Sequence, residues 1–152
     1  MRKALTLILL GAIFVAGSAF AADPVIGTWT LNVAKSKFNP GPAPKAMTRT
    51  YTESGGLYTL DQKATSADGK ESSMQVHYRK GKGELQEGNP DIDSATATRI
   101  DANTWDFKLK KGGKAVGNVH RVIQHDGKSM VVHNTGKRDG VKYDDVLLFD
   151  KQ

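Results

Sequence analysis

The sequence predicts an all-β protein, a single antiparallel up-and-down β-barrel of about ten strands. Turn signals recur at short and fairly even intervals, and no run after residue 22 carries a sustained helical period. Asp-Gly and Gly-Gly pairs permit the positive φ angles that tight hairpins require. The turn signals lie at Gly55-Gly56, Asp68-Gly69, 81–83, 88–91, 101–103, Gly112-Gly113, Asp126-Gly127 and 136–140.

Between these turns, apolar and polar residues alternate, as expected for strands with one face in a core and the other in water. The pattern is clearest in residues 74–79 and 104–110. The apolar faces of these two runs consist of Met74, Val76 and Tyr78 and of Trp105, Phe107 and Leu109.

The first 21 residues have the three parts of a secretory signal peptide. Arg2 and Lys3 supply the positive start, residues 4–15 the apolar stretch, and Ala19-Phe20-Ala21 the small-residue cleavage site. A membrane anchor is the alternative, but the apolar stretch is shorter than the roughly 20 residues that span a bilayer. We therefore expect cleavage after Ala21 and a periplasmic or secreted protein, with the choice between periplasm and medium left open.

Cleavage would leave residues 22–152 as one barrel domain. It would also lower the formal net charge from +6 to +4, because Arg2 and Lys3 leave with the signal. The remaining basic residues are scattered rather than gathered on one face with aromatic residues, so no nucleic-acid partner is expected. We also expect no stable membrane anchor. The sequence leaves the oligomeric state open.

The chain has no cysteine, although small exported proteins are often held together by disulfides. Its stability must therefore come from packing and hydrogen bonding. A closed barrel suits that requirement because every strand is paired and no sheet edge stays open.

The segment 36–45 interrupts the rhythm of strands and turns. Pro40, Pro42 and Pro44 lack the donors of a central strand and favour an extended, stiff connection. We expect this segment to cross one end of the barrel between the first two strands. It is either a rigid spacer or a lid in which Phe38 acts as the apolar plug.

The sequence offers few signs of catalysis or of metal binding. No serine lies in a Gly-x-Ser-x-Gly elbow. The histidines His77, His120, His125 and His133 lack the short spacings that place two metal ligands on one element. His120 and His133 are expected on neighbouring strands, as a surface pair. We expect no enzyme activity, no metal and no cofactor.

Arg121 is the clearest candidate for ligand binding. It shares one face of the run 115–123 with Val119 and Ile123, and if that face points inward the guanidinium enters the barrel. A buried cation needs a partner, either a ligand anion or an internal acid such as Asp145. In the alternative register His120 points inward and Arg121 is in solvent. Arg99, on the face of Ala95 and Ala97, is a similar candidate.

The opening Gly27-Thr28-Trp29 resembles the first strand of the lipocalins and of the intracellular fatty-acid-binding proteins. The mature chain is also similar to a set of small, exported, lipocalin-like bacterial proteins of unknown function. That likeness rests on Asp23-Pro24, 27–29, 35–38, 40–45, 88–91, 99–103 and 149–152.

The resemblance implies an up-and-down barrel with Trp29 packed across one closed end, and it brings no established activity. One departure concerns the last strand, where fatty-acid-binding proteins hold a ligand carboxylate with an Arg-x-Tyr pair. Here Leu147 and Phe149 occupy the corresponding positions. Carboxylate capture by that pair is therefore not expected.

Two functions remain open at this stage. The first is an exported binding protein that takes a small apolar or amphipathic molecule, such as a fatty acid, in a barrel cavity. The second is a protein–protein interaction or inhibitor module with a solid barrel and no ligand. Large inward residues such as Trp105 favour the second, and small ones such as Ala95 and Gly117 favour the first. The expected ligand contacts are Arg121, Arg99, Phe38, Tyr78 and Phe107.

Overall fold

The computed structural model describes residues 22–86 and 90–152, in which ten antiparallel strands form one closed barrel. Each strand pairs with the next along the chain, and β10 closes the barrel against β1. This confirms the predicted fold class. The strands are β1 (Gly27–Leu31), β2 (Ala46–Ser54), β3 (Leu57–Thr65), β4 (Glu71–Arg79), β5 (Lys82–Gln86), β6 (Ser94–Arg99), β7 (Thr104–Lys111), β8 (Lys114–Ile123), β9 (Ser129–Arg138) and β10 (Val141–Lys151).

A short 3₁₀ helix, Val33–Lys35, follows β1. Within the described ranges, no helix is long and apolar enough to cross a bilayer. The predicted signal peptide, residues 1–21, and residues 87–89 of one predicted turn lie outside those ranges.

The end of the barrel at which β1 begins is closed by the chain that precedes it. Val25 and Trp29 are fully buried there, and the indole Nε1 donates a hydrogen bond to the Val25 carbonyl at 2.7 Å. The Lys151 Nζ lies 5.1 Å from the centroid of the Trp29 ring. Trp29 therefore packs across one closed end of the barrel, as the sequence predicts.

Gly27 has a positive φ of 127°, a conformation that other residues rarely adopt. A Cβ at this position would also lie 3.0 Å from Cε of Lys151. Glycine is therefore required where the chain turns from the closed end into β1, two residues before Trp29.

The opposite end, where β2 begins and β3 ends, is crossed by residues 36–45, which we call the strap. Main-chain hydrogen bonds fasten the strap to β10: Lys37 and Val146 exchange two, and the Asp144 N–H donates to the Asn39 carbonyl. The Asn39 N–H donates in turn to Oδ1 of Asp145 at 2.9 Å. The strap is thus a connection between β1 and β2 that covers part of the open end, in the predicted place.

Candidate ligand cavity

A cavity of about 480 Å³ lies inside the barrel between the closed end and the strap. Its wall is mainly apolar, with a few charged and amide side chains. Phe38, Pro40, Pro42 and Pro44 of the strap form part of the wall near the open end. The apolar wall on the strands consists of Met47, Leu60, Met74, Val76, Ala95, Phe107, Leu109, Val119, Val132 and Leu147.

Arg121 lies in the deep part of this cavity. On β8 it follows Val119 toward the closed end and precedes Ile123, and its side chain is only 2% exposed. The pairing places Arg121 opposite Trp105 on β7 and opposite Val132 on β9. Arg121 therefore takes the inward register, one of the two that the sequence leaves open, and His120 points outward into solvent.

Four aromatic rings surround the Arg121 guanidinium. The Cζ atom lies 5.1 Å from the ring centroid of Tyr51, 5.4 Å from Phe107, and 5.8 Å from both Tyr78 and Trp105. Cation–π attraction over such distances is stronger when the cation is removed from water. We call these four residues the aromatic cage.

Within the described ranges, one of the three guanidinium nitrogens of Arg121 has a hydrogen-bond partner. Nη1 donates to the Tyr78 hydroxyl at 2.9 Å. Nε and Nη2 are buried and have no partner among the residues that the structure describes. These two nitrogens carry the parallel N–H bonds along one edge of the guanidinium, the arrangement that binds both oxygens of a carboxylate.

The protonation states of this pair follow from their burial. Burial raises the pKa of the Tyr78 phenol, and the positive charge of Arg121 opposes part of that rise. Burial acts to lower the pKa of Arg121, but interaction with Tyr78 and Tyr51 more than offsets it, and the net shift is upward. Near neutral pH the guanidinium is therefore charged, and the Tyr78 hydroxyl keeps a proton that it can donate.

A second arginine, Arg49 on β2, is also buried in the cavity wall, with 8% of its surface exposed. Its Nε donates to Oε1 of Gln62 at 2.8 Å, and its Cζ lies 4.7 Å from the centroid of the Phe149 ring. Neither Arg49 nor Arg121 forms an ion pair with any described carboxylate. The cavity therefore contains two buried cations that have no counterion in the part of the chain that the structure describes.

Asp145 lines the same cavity, but it does not pair with Arg121. Its carboxylate accepts the N–H of Asn39 and so fastens the strap. The sequence-based suggestion of Asp145 as an internal partner of Arg121 is wrong, because on β10 its position lies nearer the open end than Leu147 and Phe149.

Four of the five predicted contact residues come together. Phe38, Tyr78, Phe107 and Arg121 all line the cavity. Arg99 does not, since it is the last residue of β6 and lies at the closed end. There its Nη2 forms an ion pair with Asp23 at 3.2 Å, so its predicted place in the ligand site is wrong.

Sequence reasoning missed several polar residues of the wall, among them Arg49, Gln62 and Asn134. The signal for Arg49 was its alternation with Met47 and Tyr51, and the signal for Asn134 was its position two residues after Val132. On β10, Leu147 lines the cavity and Phe149 lies beneath Arg49. The cations in the cavity instead come from β2 and β8.

The histidine pair lies on the outer surface. His120 and His133 are direct cross-strand partners, and each bonds a neighbouring carboxylate, that of Asp106 at 2.6 Å and that of Asp144 at 2.7 Å. Within the described residues, no group of three metal-ligating side chains converges.

The chain matches no family model, no curated protein and no solved structure. What the fold and the cavity define together is a closed, ten-stranded β-barrel with a partly apolar interior and a buried guanidinium that has no carboxylate partner among the described residues.

Proposed function

We propose that the protein is a binding protein that holds a small amphipathic anion, such as a fatty acid, in its barrel cavity and carries out no catalysis. One observation supports this most strongly. The Nε and Nη2 edge of Arg121 is buried in the cavity and has no partner among the described residues. A ligand carboxylate is the group that this edge fits.

The energetic reason lies in the cost of buried charge. Leaving a buried donor unpaired costs about 1–3 kcal/mol, and a buried ion without a counterion costs several kcal/mol. A bound carboxylate would accept both free N–H groups of Arg121 and neutralise its charge. Ligand binding would thus offset the free-energy cost of burying the charge and the donors of Arg121.

The position of Arg121 sets the direction in which the ligand enters. Ile123 follows Arg121 toward the closed end, and Val119 and Gly117 precede it toward the open end. The anionic group would therefore lie deep, beside the aromatic cage, and the apolar part would extend past Leu109 and Val119 toward the strap.

The alternative is a protein–protein interaction or inhibitor module with a solid barrel. The large inward residues lie mainly at the closed end, and a cavity of about 480 Å³ remains between them and the open end. A barrel with such a cavity does not favour the solid module. Ala95 and Ala97 contribute little volume on β6. The cavity therefore supports the binding function over the solid module.

We also propose that the protein is exported, with cleavage after Ala21, and that it is lipocalin-like. The support for export is the charged start, the apolar stretch and the Ala19-Phe20-Ala21 site. The support for the resemblance is the closed barrel, together with the Gly27-Thr28-Trp29 opening, whose tryptophan is buried at one end. Intact-mass measurement checks export: a mature chain that begins at Ala22 is expected, and retention of residues 1–21 would contradict it.

A cavity-filling variant tests the binding site. Ala95 is 8% exposed and lines the cavity, so Ala95→Phe places a ring where the ligand chain would lie. The added ring and the ligand chain cannot both occupy this space without a shift of one of them, which costs about 1–3 kcal/mol. Calorimetric titration with dodecanoate should therefore show binding to the parent and at least about tenfold weaker binding to the variant.

The matched control is Ala102→Phe, which adds the same ring at an exposed position in the turn between β6 and β7. It should bind dodecanoate as the parent does. Absence of binding to the parent would overturn the proposal, as would undiminished binding to a folded Ala95→Phe variant.

A further inference from the structure

The polar residues of the cavity wall are not spread evenly. Above the level of Arg121 and Tyr78, the lining side chains of β4, β6, β7 and β8 that the structure describes are apolar. The polar ones lie on the other side of the barrel: Arg49 on β2, Gln62 on β3, Asn134 and Arg138 on β9, and Tyr143 and Asp145 on β10. A simple alkyl chain would offer this polar side no hydrogen bond.

Asn134 and Asp145 form the core of the polar side. They are directly opposite one another on β9 and β10, and both line the cavity. The Asn134 Oδ1 is buried and has no hydrogen-bond partner among the described residues. Asp145 is 8% exposed, and its Oδ1 accepts the N–H of Asn39. The pair thus offers acceptor oxygens to whatever occupies the middle of the cavity.

The chemistry of this pair selects a donor rather than a second anion. The Asp145 carboxylate repels a negative group and accepts an O–H. A hydroxyl also suits Asn134 in either orientation of its amide, because a hydroxyl both donates and accepts. Binding a plain alkyl segment here would desolvate both side chains without returning a hydrogen bond.

The distance between the two polar sites follows from the strand register. Val132 is the partner of Arg121, and Asn134 is two residues further along β9 toward the open end. Two residues of a strand span about 7 Å, which an extended alkyl chain covers in roughly five or six bonds.

Resting on the proposed function, we propose that the ligand is a hydroxylated amphipathic acid: its carboxylate binds Arg121, and a hydroxyl partway along its chain binds the pair Asn134 and Asp145. The chain beyond the hydroxyl contacts the apolar wall of β4 to β8. The strap closes over its far end.

Three acids of equal length test this: dodecanoate, 6-hydroxydodecanoate and 12-hydroxydodecanoate. Calorimetric titration of the parent should give about tenfold tighter binding of the 6-hydroxy acid than of dodecanoate. It should also bind more tightly than the 12-hydroxy acid, whose hydroxyl lies beyond the pair. This comparison needs no variant and stands even where a variant fails to fold.

The variant Asn134→Leu should remove most of the preference and should bind dodecanoate at least as tightly as the parent does. Asn118→Leu makes the same change on the exposed outer face of β8 and should keep the parent's preference.

Equal binding of dodecanoate and its 6-hydroxy derivative by the parent would overturn the inference while leaving the proposed function intact. An unchanged preference in folded Asn134→Leu would also overturn it. Failure of all three acids to bind would overturn the inference and the proposed function together.

Discussion

Replacing Trp29 with alanine is expected to lower the free energy of unfolding by about 3–5 kcal/mol. The indole is fully buried at the closed end of the barrel, so its removal leaves a cavity that the paired strands cannot readily fill. It also leaves the Val25 carbonyl without the donor that it has at 2.7 Å. Since domains of this size are stable by about 5–15 kcal/mol, the loss would be a large fraction of the total. Urea unfolding followed by circular dichroism measures it.

Two further variants make this result specific. Trp29→Phe keeps most of the apolar volume but loses the hydrogen bond, so it should cost less than Trp29→Ala. Ile100→Ala, at a side chain that is 57% exposed, should change the free energy of unfolding by no more than about 0.5 kcal/mol. A loss below about 1 kcal/mol in Trp29→Ala would mean that the closed end does not depend on this residue.

The second large effect concerns ligand affinity. Arg121→Gln should weaken dodecanoate binding by about ten- to a hundredfold, since hydrogen bonds to a charged group contribute about 1.5–3 kcal/mol. Glutamine keeps a polar group in the aromatic cage but loses both the charge and the free Nε and Nη2 edge. Titration calorimetry with parent and variant gives the ratio directly.

Two controls separate this effect from general damage. Dodecanol, which lacks the charge, should bind the parent and Arg121→Gln about equally. Arg79→Gln removes an exposed arginine whose Nη1 donates to the Gly55 carbonyl, and it should leave dodecanoate binding unchanged. Equal affinity of the parent and Arg121→Gln for dodecanoate would mean that the anion binds elsewhere.

Alternation along a strand limits Arg121 to two registers, one inward and one in solvent, and the sequence leaves both open. A shift of one residue exchanges the two faces completely, so the apolar neighbours Val119 and Ile123 carry Arg121 inward with them. The burial of Trp29 is implied by the resemblance of the Gly27-Thr28-Trp29 opening, and in the structure Trp29 is buried at the closed end of the barrel. The strand boundaries were predictable from the turn glycines, because glycine tolerates the positive φ that tight turns require.

The partners of the charged residues were not predictable in this way. Arg99 and Arg121 both share a face with small or apolar residues, but Arg99 is at the end of its strand and pairs with Asp23. The Asp145 carboxylate accepts a hydrogen bond from the backbone of the strap, a contact between segments that are far apart in sequence. The volume of the cavity depends on how ten strands are staggered, which local alternation does not specify.

The most direct test of the account is a crystal structure of the mature protein bound to dodecanoate. We expect both carboxylate oxygens at about 2.8 Å from Nε and Nη2 of Arg121, with the alkyl chain running through the cavity toward the strap. Arg138, the last residue of β9, lines the cavity at its open end. A carboxylate held there by Arg138, with the Nε and Nη2 edge of Arg121 not bound to it, would contradict the account, as would a ligand bound outside the barrel.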